Sequence, residues 1–121
     1  WSLREGSHSF SPNSDCSSSS SATPKGITDP VIEYDHVEGN CSITGGFWMN
    51  DSFPVGEGYL YGDFCTGSVW IVQNKNNWTA NFLFDTDLQI VGFGKGLNGE
   101  LLIFHWSGSV FEIVFEEVNR E

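Results

Sequence analysis

Beyond Val31 the chain alternates short apolar runs with breaks rich in Gly and Asn. No stretch carries the apolar stripe of a helix, so essentially all regular structure is expected to be strand. VIEY (31–34) reads as a short strand, followed by the turn DHVEGN. SITGGFWM, YLYGDF, SVWIVQ and TANFLF follow as strands joined by DSFPVGEG, CTG and NKNN, a four-stranded antiparallel meander. After DTDLQ, a second set reads IVGFGK, ELLIFHW and SVFEIVF, broken by LNG and SG. Asn98-Gly99 is a hairpin signal, because both residues tolerate positive φ. Continuous apolar runs such as VWIV and LLIF point to sheets covered on both faces.

The two sets are related by an internal repeat. GYLYGDFCTGSVWIV (58–72) and GELLIFHWSGSVFEI (99–113) align at a shift of 41 residues, pairing Gly58 with Gly99, Leu60 with Leu101 and Gly67 with Gly108. In the same alignment Val69 falls on Val110 and Trp70 on Phe111. A period of about 40 residues made of short strands and Gly turns is the signature of β-propeller blades. The fold class is therefore all-β, with antiparallel four-stranded blades and about two blades present. A blade cannot bury both faces alone, so a larger ring is expected around these two.

Three segments follow. Residues 1–30 are expected to be an irregular Ser- and Pro-rich loop region of a preceding blade, with DCSSSSSATPKG as a surface excursion. Residues 31–88 are expected to form one full blade, and 89–121 a partial last blade of three strands. Closed propellers complete such a blade with a strand from the other end of the chain. Alone, the chain is expected to expose blade faces and strand edges.

Composition narrows the partners. Acids outnumber bases sixteen to five, a formal charge of −11, which argues against nucleic acid and anionic membrane surfaces. No run approaches the apolar length of a membrane span. The chain opens on Trp1 without a charged-then-apolar leader, so any secretion signal is expected upstream. Three N-x-[ST] sequons, at Asn40, Asn50 and Asn77, favour a secreted, periplasmic or extracellular location.

Two of the three cysteines add to this. If the segments around Cys41 and Cys65 form a hairpin turning at Phe53 and Pro54, the two residues face each other within disulfide reach. The alternative is two buried free thiols acting as small apolar residues. Cys16 is left over in the Ser-rich loop.

Four motifs occur in order: W-x-x-x-E-G (Trp1, Glu5, Gly6), PVIEYDH (30–36), CSITGGF (41–47) and YGDFCTG (61–67). Together they resemble the C-terminal third of the glucose/sorbosone dehydrogenase family. The resemblance implies a six-bladed propeller that oxidises sugars by hydride transfer to pyrroloquinoline quinone (PQQ), usually with calcium. It also implies that the general base, the calcium ligands and most quinone contacts lie on blades outside this chain. The partners it implies are the remaining blades and a sugar. Relatives include non-catalytic extracellular propellers of the hedgehog-interacting-protein type, which bind protein or carbohydrate partners. Within this chain Asn50 stands where one branch of the family places a basic residue toward the quinone. His36, in a turn, is the other candidate for a cleft contact. Ser68 and His105 depart from the Arg and Asp that many relatives carry.

Other residues are weaker candidates. Asp85 and Asp87 in DTD could meet calcium but read better as a turn cap. GFGKG around Lys95 lacks the spacing of a phosphate loop. Asp63 in YGDF is expected to bond neighbouring backbone amides and fix its loop. Alkylating the denatured, unreduced chain decides the cysteine question: a bridge leaves at most one reactive thiol, at Cys16, and three would exclude it.

Overall fold

The computed structural model describes residues 4–9, 23 and 25–116, and the chain divides into two compact units, Trp1–Asp35 and His36–Glu121. Every regular element among the described residues is an antiparallel β-strand.

The first unit holds a two-stranded hairpin, β1 (Arg4–Glu5) and β2 (His8–Ser9), turning at Gly6. The side chain of Arg4 is almost buried; its guanidinium pairs with Asp29 at 3.1 Å and donates to the Ser7 carbonyl at 2.6 Å. Glu33 accepts from the Ser7 amide at 2.9 Å and from the Ser7 hydroxyl. Those two bonds hold the Glu33 carboxyl below its ordinary pKa. A depressed carboxyl contributes stability above its unfolded pKa, and the contribution fades as pH falls through the folded value. VIEY forms no strand: the segment enters no ladder, and Glu33 accepts from Ser7 through its side chain.

In the second unit the expected meander is present. Strands β3 (Ile43–Met49), β4 (Gly58–Asp63), β5 (Ser68–Asn74) and β6 (Trp78–Asp85) form one sheet in chain order. Strands β7 (Ile90–Lys95), β8 (Leu101–His105) and β9 (Val110–Ile113) form a three-stranded sheet, also in chain order. The first strands of the two sheets lie side by side, where the Thr44 hydroxyl donates to the Ile90 carbonyl at 2.9 Å. Met49, Leu60, Val69 and Ile71 from the first sheet meet Ile90, Leu101 and Ile103 from the second in one fully buried core. Phe53, in the β3–β4 loop, closes one end of that core edge-on against Phe115 at 6.0 Å.

The sequence repeat holds in part. Leu60 and Leu101 both sit in the core, and Gly67 and Gly108 both turn with positive φ. The strand after the turn does not follow the alignment. Leu60 pairs with Ile71, but Leu101 pairs with Ile113, where a shift of 41 would bring Glu112. The cause is turn length: six residues lie between the paired Gly62 and Val69, and five between Phe104 and Val110. A slip of one residue inverts every side chain. Val69 is thus wholly buried while Val110 is 57% exposed, and Phe111 rather than Val110 shares the face of Ile103.

The two turn glycines are not equivalent in their surroundings. A Cβ on Gly67 (φ 71°) would lie 2.4 Å from the Thr86 carbonyl oxygen and 2.7 Å from that of Leu88. On Gly108 (φ 100°) it would meet nothing within 4 Å. Gly108→Ala is therefore expected to cost about 1 kcal/mol, the strain of a left-handed residue alone. Gly67→Ala should cost roughly 3 kcal/mol, because backbone must also move. Urea midpoints of the two variants test this, and equal losses would contradict it.

Candidate functional site

The most constrained part of the second unit is the base of the β3–β4 hairpin. Asp63 ends β4 with its side chain fully buried. One carboxylate oxygen accepts the amides of Cys41 (3.0 Å) and Ser42 (3.1 Å). The other accepts those of Cys65 (2.8 Å) and Thr66 (3.1 Å), with the Thr66 hydroxyl farther off at 3.4 Å. Cys41 and Cys65 are joined in a disulfide with Cα atoms 5.7 Å apart. The expected bridge and the expected amide-binding role of Asp63 are both present.

A β-bulge at Gly46 makes this pairing possible. Above it, Met49 pairs with Gly58 and Phe47 with Leu60; that register continued downward would set Cys41 against Thr66. The residue inserted at Gly46 shifts the ladder, so Gly45 pairs with Tyr61, Ile43 with Asp63, and Cys41 falls opposite Cys65. Only glycine fits there, since a Cβ would lie 2.5 Å from the Leu60 carbonyl oxygen and against the Tyr59 ring.

The sequence-derived site residues are spread out. Asn50 follows β3 in an exposed loop, where its side-chain oxygen accepts the Ser52 amide at 3.0 Å and the Ser52 hydroxyl. His36 is exposed and precedes β3. The strand between them is seven residues, about 20 Å. Asn40 is half-buried and accepts the Thr66 hydroxyl at 2.9 Å. Asn77 is exposed in the β5–β6 loop, at the same end of the sheet as Asn50. His105 is structural: its Nδ1 accepts the Gln89 amide at 2.9 Å. Lys95 ends β7, with Gly92 and Gly94 inside the strand, which is no phosphate loop.

Among the described residues, neither implied cofactor finds a fitting set of ligands. PQQ carries three carboxylates and calls for cations, but Asn50 spends its oxygen on Ser52 and its charged loop neighbours are Asp51 and Glu57. Cys41, Asp63 and Cys65 offer atoms within 4.8 Å of one another, the spacing of a metal cluster. The two sulfurs are bonded to each other, and both Asp63 oxygens accept amide hydrogens, so the atoms a cation would need are already engaged. Asp85 accepts from the Ser68 hydroxyl.

No family model, curated protein or solved structure matches this chain. The site is read from its own geometry.

On the sheet face opposite the core, Tyr61, Trp70 and Phe82 line up across β4, β5 and β6. Tyr61 stacks on Trp70 at 5.4 Å and 17°, and Phe82 meets Trp70 at 6.3 Å and 73°. Trp48, Tyr59 and Phe82 on this face are 39–56% exposed. Aromatics at every second position of YLY and at Trp70 were the available signal. Registers were needed to see them as one row.

Asp63→Asn leaves one oxygen for four amides and turns an NH2 group toward two of them. The expected loss is about 3 kcal/mol, the cost of leaving buried donors unpaired. Urea denaturation of the oxidised protein measures it; a loss under about 1 kcal/mol would mean water replaces the carboxylate.

Proposed function

We propose that this chain supplies two adjoining blades of a secreted six-bladed propeller related to the glucose/sorbosone dehydrogenases. In the complete ring, sugar oxidation would proceed by hydride transfer to PQQ on other blades. This chain would contribute wall and cleft edge, not the reacting groups. The observation that carries the reading is the pair of antiparallel sheets built on a repeated hairpin, with first strands β3 and β7 side by side. Neighbouring blades meet in that way around a propeller axis. An extracellular or periplasmic setting is supported by the Cys41–Cys65 bridge, which persists in oxidising compartments. Among the described residues no helix is long and apolar enough to cross a membrane.

A second reading is a non-catalytic extracellular propeller that binds a protein or carbohydrate partner. It is favoured by Trp48, Tyr59 and Phe82 exposed on one sheet face and by the acidic surroundings of Asn50, which disfavour an anionic quinone.

Reconstitution separates the two. The full protein, loaded with PQQ and calcium, is expected to reduce an artificial electron acceptor when an aldose is added. Asn50→Ala should leave that turnover within about twofold, since its side chain serves its own loop. A protein that neither shifts PQQ absorbance nor oxidises aldoses would be the binding module instead.

A further inference from the structure

The aromatic row ends in a cleft of about 660 Å³ between the β4–β5 turn, the β6–β7 turn and the turn before β3. Trp70 and Phe82 form its apolar side, their rings set nearly perpendicular, with buried Tyr61 stacked behind Trp70. Phe82 is 56% exposed, so its ring is open to a ligand. Three carboxylates, Glu38, Asp85 and Asp87, line the same cleft. Among the described residues, no Lys, Arg or His lines the cleft.

The frame around these groups is fixed. Ser68 donates its hydroxyl to Asp85, and Thr66 donates to Asn40 at 2.9 Å. The Thr86 hydroxyl donates to the Gly67 carbonyl at 2.8 Å, tying the β6–β7 turn to the β4–β5 turn. Glu38 is carried by a tight turn closed from the Asn40 amide to the Val37 carbonyl at 3.0 Å.

Charge selects the occupant. An aromatic corner accepts a cation over its ring faces, and a carboxylate rim neutralises it. A neutral sugar could stack on the same rings but would leave three acids without a counter-charge, and an anion would be repelled. Among cations, the planar guanidinium can stack on an aromatic ring and bond a carboxylate with two N–H groups at once, which an ammonium cannot. We propose that this cleft binds arginine side chains of a basic segment on a protein partner. The chain's charge of −11 favours encounter with such a partner. This inference deepens the binding-module reading and does not depend on PQQ.

The test is calorimetric titration of the full protein at low salt with a glycine-flanked triarginine peptide. A triglutamine peptide of the same length and a neutral disaccharide serve as controls. The triarginine peptide alone is expected to bind. Phe82→Ala should weaken it about tenfold through the lost ring face, and Glu38→Gln with Asp87→Asn by a similar factor. A matched double variant, Asp51→Asn with Glu116→Gln, removes two charges away from the cleft and should change affinity less than about twofold. Equal weakening by both double variants would mean diffuse attraction to an acidic protein and would overturn the site. Absence of peptide binding, or binding of the disaccharide in its place, overturns it as well. Neither result bears on sugar oxidation, which the quinone assay reads separately.

Discussion

The buried carboxylate of Asp63 is the interaction on which the second unit depends. An unpaired carboxylate inside a protein costs several kcal/mol, so this one is tolerable only with its amide bonds in place. Those bonds come from two segments distant in sequence, the entry to β3 and the turn after β4. The disulfide joins the same two segments covalently. One holds the geometry of the native chain, and the other restricts the unfolded chain.

The consequence reaches the core. By binding the Cys65 and Thr66 amides, Asp63 supports the longer of the two turns and so sets the register of β5. That register decides that Val69 and Ile71 face inward while Trp70 faces out beside Tyr61. In the second sheet Phe104 stands where Asp63 stands in the first. No carboxylate is available there, the turn is a residue shorter, and β9 presents the alternate face. Two repeats of related sequence thus set the side chains of the strand after the turn on opposite faces, because one turn has an anchor and the other is a residue shorter. The aromatic cleft belongs to the anchored sheet alone.

Much of this was legible in the chain. Seven of the nine strands follow from apolar runs and turn residues, since period and punctuation are local properties. The Cys41–Cys65 bridge followed from counting along a hairpin, although the count succeeds only because Gly46 inserts a bulge that the count did not contain. The short β1–β2 hairpin was hidden, being two residues per strand with no apolar alternation. VIEY looked like a strand and is not: it enters no ladder, and its Glu33 side chain accepts from Ser7. Asn50 and His36 had been grouped by a resemblance, yet β3 runs its whole length between them.

What the sequence determined by itself is therefore the all-β character, the strand order, the repeat and the pairing of cysteines near in a hairpin. Each depends on neighbours within a few residues or on one turn. Tertiary structure alone decided the register of β5 and β9, the reach of Asp63 to the distant Cys41 and Ser42 amides and the row of Tyr61, Trp70 and Phe82. Those depend on a single residue more or less in a turn or bulge. Side chains alternate with a period of two, so that one residue exchanges the buried face for the open one.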